Sequence, residues 1–270
     1  MNTSFDVKNF GEAFKTTIMW MMKDKYGKEI EDHINGIIIN KKGLEKDPNY
    51  SGAFKILMEA IATNSWFLKK PKNFDDRISD FLKRYGNDFW SPRARKEIIK
   101  IVGNSQINRK KIESLLQYST IREFTQDLYK LAKKGETNVL GEKGRDDYLR
   151  SVGYWDRIPI DRHEKRFLLR TGIYHAYASK DKGDPLETDT FQEVLTRFCK
   201  ELLSGFTINV NGKIIDLMNP GFVDVFIWSY CAEKRYNICG EKPRCEECKL
   251  RETCLYPSIN LSLKSPGLST

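Results

Sequence analysis

Four cysteines, Cys239, Cys245, Cys248 and Cys254, are separated by five, two and five residues. That spacing puts four potential thiolates in one short loop, which is the donor set a metal centre needs. The sequence carries no secretory signal pattern, so reduced thiols are expected rather than disulfides. Around them the chain is rich in Pro, Lys, Arg and Glu, unlike the apolar surroundings of core cysteines. Structural zinc sites usually pair two CxxC knuckles across a longer gap, and here there is one, Cys245 to Cys248. A [4Fe-4S] cluster, with one sulfur ligand per iron, suits the compact loop 239–254. Zinc is the alternative.

A second stretch, from Asn138 to Thr171, holds Gly141, Lys143 and Gly144 ahead of Asp161, Arg162 and His163. Gly141 is expected to make a tight left-handed turn between one helix and another running from about Gly144 to Ser151. Such a turn aims backbone N–H groups outward at a helix N-terminus, where they hold a phosphate. Asp161 and Glu164 form a capping-box pattern after Pro159-Ile160, so Asp161 also has a purely structural role open to it.

The words of both stretches carry a resemblance. Arg235-Tyr236-Asn237-Ile238-Cys239 and Lys242-Pro243-Arg244-Cys245 resemble the cluster loop of the endonuclease III family of DNA glycosylases, which reads Cys-x6-Cys-x2-Cys-x5-Cys. This chain is one residue shorter in the first gap. Cys231 therefore competes with Cys239 as first ligand, and Cys239 is expected, since shifting a ligand by one loop residue is the smaller change. Cys231 and Cys199 then read as small apolar helix residues.

Leu149-Arg150-Ser151-Val152-Gly153-Tyr154 and Asp161-Arg162-His163 are similar to the helix-hairpin-helix segment of archaeal-type 8-oxoguanine DNA glycosylase/lyases. Laid over that family, Lys143 takes the place of the nucleophilic lysine and Asp161 that of the essential aspartate, with the family's separation, 161 − 143 = 18. Val139 stands where the family has its first glycine. The likeness covers the central third of the chain and the cluster loop, and hardly the first 50 residues. It implies a mainly helical, two-lobed fold with a [4Fe-4S] loop, acting on double-stranded DNA that holds a damaged base or an abasic site. Phosphate contacts are expected from Gly141, Gly144, Arg145, Arg162, His163, Lys242 and Arg244.

Elementary chemistry agrees. Removing a base from deoxyribose needs a nucleophile at C1′ and a carboxylate beside the cationic, oxocarbenium-like sugar. An unprotonated amine can displace the base, become an iminium, and allow loss of the C2′ proton and the 3′ phosphate. The target nucleotide must first leave the stack. Oxidised bases are the expected substrates by resemblance. Two other readings compete: a non-catalytic iron–sulfur protein that binds damaged DNA, and a glycosylase that activates water through Asp161. Ile61 stands where endonuclease III has a gap-filling glutamine, and serves either as a wedge or as core. Trp66, Trp90, Trp155 and Trp228 are candidates for stacking on an extruded base. Asp146 and Asp147 are expected to be exposed.

The elements that must hold these residues are mostly helices. Phe54, Leu57, Met58 and Ile61 recur at helical spacing, as do Phe74, Ile78, Phe81 and Leu82 with Asn73 as cap. Thr120/Glu123 and Thr190/Glu193 read as capping boxes. Asn211-Gly212 between two β-prone runs, Phe206–Val210 and Lys213–Leu217, predicts a hairpin within an insertion spanning 181–220, after a loop at Gly183-Asp184-Pro185. A loose tail is expected after Pro257. The lobes are expected at residues 51–160, and at 1–50 with 161–270. Of 270 residues, 46 are basic and 37 acidic, a formal charge of +9 that favours polyanions. No stretch is long and apolar enough to span a bilayer, so a soluble intracellular monomer is expected.

Overall fold

Apolar residues at helical spacing become buried stripes in the computed structural model, which describes residues 5–63, 73–102, 106–178 and 187–257. Trp66, the Gly183-Asp184-Pro185 loop and the expected loose tail lie outside the described residues. The protein is mainly helical, with one two-stranded sheet among the described residues. The helices are α1 (Val7–Lys23), α2 (Gly27–Lys46), α3 (Ser51–Thr63), α4 (Phe74–Tyr85), α5 (Pro92–Val102), α6 (Gln106–Leu115) and α7 (Ile121–Lys133). After these come α8 (Glu142–Ser151), α9 (Arg162–Thr171), α10 (Ile173–Tyr177), α11 (Thr188–Leu202), a hairpin of β1 (Thr207–Val210) and β2 (Lys213–Asp216), and α12 (Pro220–Cys231). Among the described residues, no helix is long and apolar enough to cross a membrane.

The chain divides into two units, Gly36–Pro159 and Met1–Asn35 with Ile160–Thr270. The first division falls inside α2 and not at residue 51. The reason is local: Leu44 is buried with the core of the central unit, and Arg122 on α7 donates to the carbonyls of Leu44 (2.9 and 2.7 Å) and Glu45 (2.9 Å). A guanidinium there satisfies carbonyls that the end of a helix leaves without intrahelical partners.

In the central unit the core gathers Phe54, Leu57, Met58, Ile61, Ile78, Phe81, Phe89, Phe124 and Leu128. The Phe54 ring lies 4.8 Å from that of Phe89 and 5.7 Å from that of Phe81. Truncating so enclosed a ring to Ala costs about 3–5 kcal/mol. Ile61 is 1 % exposed, so it belongs to this core and is not a wedge at a surface. Trp90 is likewise buried, its indole N–H donating to the Tyr118 carbonyl at 3.0 Å. Asn73 stands ahead of α4 in the left-handed region (φ 57°) and makes no side-chain cap bond. Thr120 does cap α7, accepting from Glu123 N at 3.1 Å, while the Glu123 carboxylate reaches Ser119 N (2.9 Å) instead of Thr120 N.

In the other unit, Asp6 caps α1 by accepting from Lys8 N and Asn9 N, each at 3.1 Å. Phe10 and Phe14 then pack on Phe167 of α9 and Phe198 of α11. Helix α12 is mostly apolar, with Asp224 and Ser229 as its polar exceptions, and almost wholly buried, as a helix enclosed by others must be. Helix α11 starts at Thr188 after Glu187, so Thr190 lies inside it and is not the cap. β1 and β2 pair with Val210 opposite Lys213, and both turn residues, Asn211 (φ 49°) and Gly212 (φ 79°), have the positive φ of a type I′ turn.

Candidate functional site

Helix α7 ends on Gly135, whose φ of 74° supplies the left-handed residue, and Glu136 N bonds back to Leu131 O at 3.0 Å. The left-handed turn expected at Gly141 is therefore made six residues earlier. Gly141 itself is extended (φ −68°, ψ 164°) and serves as N-cap of α8, which starts at Glu142 and not near Gly144. Val139 and Leu140 are buried and anchor the approach. Lys143 thus lies in the first turn of α8, exposed to solvent, with half-buried Gly144 beside it. The positive end of the helix dipole makes this turn attractive to anions.

The inner side of α8 is held by an ion network. Asp146, 0 % exposed, accepts from Arg145 Nε and Nη2, both at 3.0 Å, and from Arg157 Nε (3.1 Å) and Nη2 (3.3 Å). Arg145 Nη1 also donates to the Glu136 carbonyl at 2.7 Å. Asp146 is thus buried, contrary to expectation, because it neutralises charge inside the unit. Asp147 is exposed as expected and pairs with Arg150 at 2.6 Å. Arg145, expected to meet phosphate, is 1 % exposed and committed to Asp146 and Glu136. Tyr148 shares a 2.7 Å hydrogen bond with the Thr125 hydroxyl.

The chain leaving α8 is fastened at several points within the same unit. Tyr154 packs on Tyr129 with ring centroids 4.2 Å apart, and Asp156 accepts from Tyr129 Oη at 2.8 Å and from Lys133. Trp155 is half-buried under the Lys41 ammonium, 4.8 Å from the ring centre.

In the other unit Asp161 caps α9. Its Oδ1 accepts from His163 N at 2.6 Å, and Asp161 N donates to Glu164 Oε2 at 2.9 Å, closing the capping box. Asp161 is half-buried and Arg162 exposed. His163, 8 % exposed, has little surface for a phosphate. Glu164 is buried, and burial together with the negative charge of Asp224, itself buried on α12, holds its carboxyl well above the usual carboxylate range. This carboxyl pair was not legible in the sequence, since Asp224 sits in an otherwise apolar helix.

The cysteine loop follows α12 in this unit. All six cysteines are free of disulfides. Cys239 is buried, and Cys245, Cys248 and Cys254 are half-buried beside two single 3₁₀ turns, Cys245–Glu247 and Arg251–Thr253. Burial pushes the Cys245, Cys248 and Cys254 thiols up, and the nearby charge of Cys239 adds to it. A hydrogen bond from Cys231 and the cations Arg170 and Arg166 draw the Cys239 thiol down to about 7 against the effect of burial. Cys231 is thus buried next to Cys239, at the end of α12, while Cys199 is buried in α11.

Arg170, which the sequence reading overlooked, organises this loop. It donates to the carbonyls of Gly240 (2.6 Å) and Glu241 (3.1 Å), and its own carbonyl lies 3.4 Å from Cys254 Sγ. Tyr230 Oη stands 3.3 Å from Cys248 Sγ and accepts from Lys249 N at 3.1 Å. Arg244 bonds to the carbonyls of Asn237 (3.2 Å) and Tyr236 and pairs with Glu247, and both it and Lys242 are exposed. Among the described residues no group of three or more His, Cys, Asp or Glu side chains is close enough to hold a single metal ion. The loop carries four soft sulfur donors, and the guanidinium groups of Arg170 and Arg166 act on Cys239 among them.

No family model matches the chain, and no curated protein matches it. One solved structure is similar: the crystal structure of Methanocaldococcus jannaschii 8-oxoguanine glycosylase/lyase in complex with a 15mer DNA containing 8-oxoguanine. The identity is 19 %, the TM-score 0.45, and the match covers 80 % of this chain and 95 % of that one.

Proposed function

We propose that this chain is a bifunctional DNA glycosylase with lyase activity, excising an oxidised base from double-stranded DNA as a monomer. The observation that carries this reading is Lys143: an exposed amine in the first turn of α8, a helix locked in place by buried ion pairs of Arg145 and Arg157 with Asp146. A lysine serving only solubility needs no such support.

The Lys143 amine attacks C1′ of a flipped nucleotide and the base leaves with the bonding electrons. Asp161 supplies a carboxylate to offset the positive charge that grows on the sugar. The nitrogen lone pair then opens the sugar ring at C1′–O4′ to give an iminium, and loss of a C2′ proton from it expels the 3′ phosphate and breaks the strand. Phosphates flanking the lesion are attracted by the first turn of α8 and by exposed Arg162 and Lys242. Cys239, Cys245, Cys248 and Cys254 would hold a [4Fe-4S] cluster, which when bound gives the loop bearing Lys242 its shape and takes no part in base removal.

Borohydride trapping on a duplex with an abasic site tests the reading. The wild-type chain is expected to give a covalent adduct and Lys143→Gln none. Base release from a lesion duplex without an adduct would assign water activation through Asp161 instead. DNA binding with neither product would overturn the enzymatic reading.

A further inference from the structure

The network under α8 ties the helix that carries Lys143 to the segment that leaves it. Asp146 lies three residues after Lys143, and Arg157 six residues after the end of α8 at Ser151. Both oxygens of Asp146 accept from Arg145 and from Arg157, and the three residues are 0, 1 and 8 % exposed. Two guanidinium groups share one carboxylate, so the network keeps an excess positive charge out of water. Buried ion networks of this kind are often no more stabilising than apolar side chains of the same volume. What they supply is direction, because a guanidinium fork bonds a carboxylate in one plane and at one register.

We propose that Arg157 is a positioning residue. Held on Asp146, it makes α8 and the outgoing segment 152–159 one rigid piece, so the first turn presents the Lys143 amine in a fixed direction. Other fastenings of that segment, Tyr154 on Tyr129 and Asp156 on Lys133, reach α7. Backbone bonds such as Tyr154 N to Leu149 O (3.0 Å) hold its start to the end of α8, and Arg157 carries a side-chain fork from its far end back to Asp146. The inference rests on Lys143 being the nucleophile.

The test compares full-length variants in single-turnover borohydride trapping on saturating abasic-site duplex. Arg157→Lys keeps the charge and loses the fork. It is expected to slow adduct formation roughly 10–100-fold, the scale of a misplacement of about 1 Å, while the Kd for the same duplex stays unchanged. Should Arg157→Lys fail to fold, the triple change Arg145→Met, Asp146→Leu, Arg157→Met replaces the network by apolar volume. A purely structural role survives that exchange, and a positioning role does not. Adduct formation at the wild-type rate in either folded variant overturns the inference. Absence of an adduct with the wild-type chain would instead remove Lys143 as nucleophile, and the inference with it.

Discussion

Asp161 and Glu164 hold each other across the first turn of α9: the Asp161 N–H donates to Glu164 Oε2 at 2.9 Å, while Asp161 Oδ1 takes the N–H of His163 at 2.6 Å. One carboxylate oxygen of Asp161 is thus engaged in the cap, which gives the residue a structural task beside the chemical one proposed for it.

These two tasks separate by substitution. Asn is as good an N-cap as Asp, so Asp161→Asn is expected to leave the melting temperature near wild type. Asp161→Ala is expected to lose about 1 kcal/mol of stability. Both are expected to slow base release by about 10²–10⁴-fold, since neither keeps a negative charge beside the sugar. Wild-type turnover by Asp161→Asn would confine the residue to capping.

Glu164 makes stability depend on pH in a defined direction. Its folded-state pKa is raised by burial and by Asp224, so the folded chain holds this proton more tightly than the unfolded chain does. Stability therefore falls as pH rises from the ordinary carboxylate value through the raised one. Glu164→Gln keeps an acceptor for Asp161 N–H and removes the charge. Thermal melts across pH are expected to place Glu164→Gln at or above wild type near neutrality, with the difference vanishing at about pH 4. A gap independent of pH would refute this assignment.

The proposed cluster distinguishes the two adjacent thiols. Cys239→Ser is expected to lower iron and sulfide content of the purified chain, because its sulfur is one of four in the loop. Cys231→Ser is expected to keep both, as that thiol belongs to the end of α12 and not to the loop, and bonds to Cys239. Equal iron loss in the two variants would make Cys231 a ligand.

Gly153 marks a close approach in the segment leaving α8. Its φ is 108°, and a Cβ there would come within 2.4 Å of Lys41 Cγ. Gly153→Ala is expected to cost about 1–2 kcal/mol from the backbone and to push Lys41 off the Trp155 ring, read as a lower denaturation midpoint and a changed tryptophan emission. An unchanged midpoint would show that the backbone relaxes.

What the sequence determined by itself is whatever depends on neighbours along the chain. The stripe through Phe54, Leu57 and Met58, the Asn211-Gly212 turn, the Asp161–Glu164 box and the cysteine spacing were all legible, because helical period, turn chemistry and loop reach act over a few residues. Asp146 beside Lys143 looked like surface charge until Arg145 and Arg157 enclosed it, and the split of α2 between two units became clear only once Leu44 found its core. Arg170 and the Glu164–Asp224 pair belong to the same class. Burial and partner choice are settled by segments distant in sequence, and a charged residue reads the same in a string of letters whether it ends in water or in a buried ion pair. Tertiary structure alone decides which, since the cost of burying a charge is met only by the partner that packing brings to it.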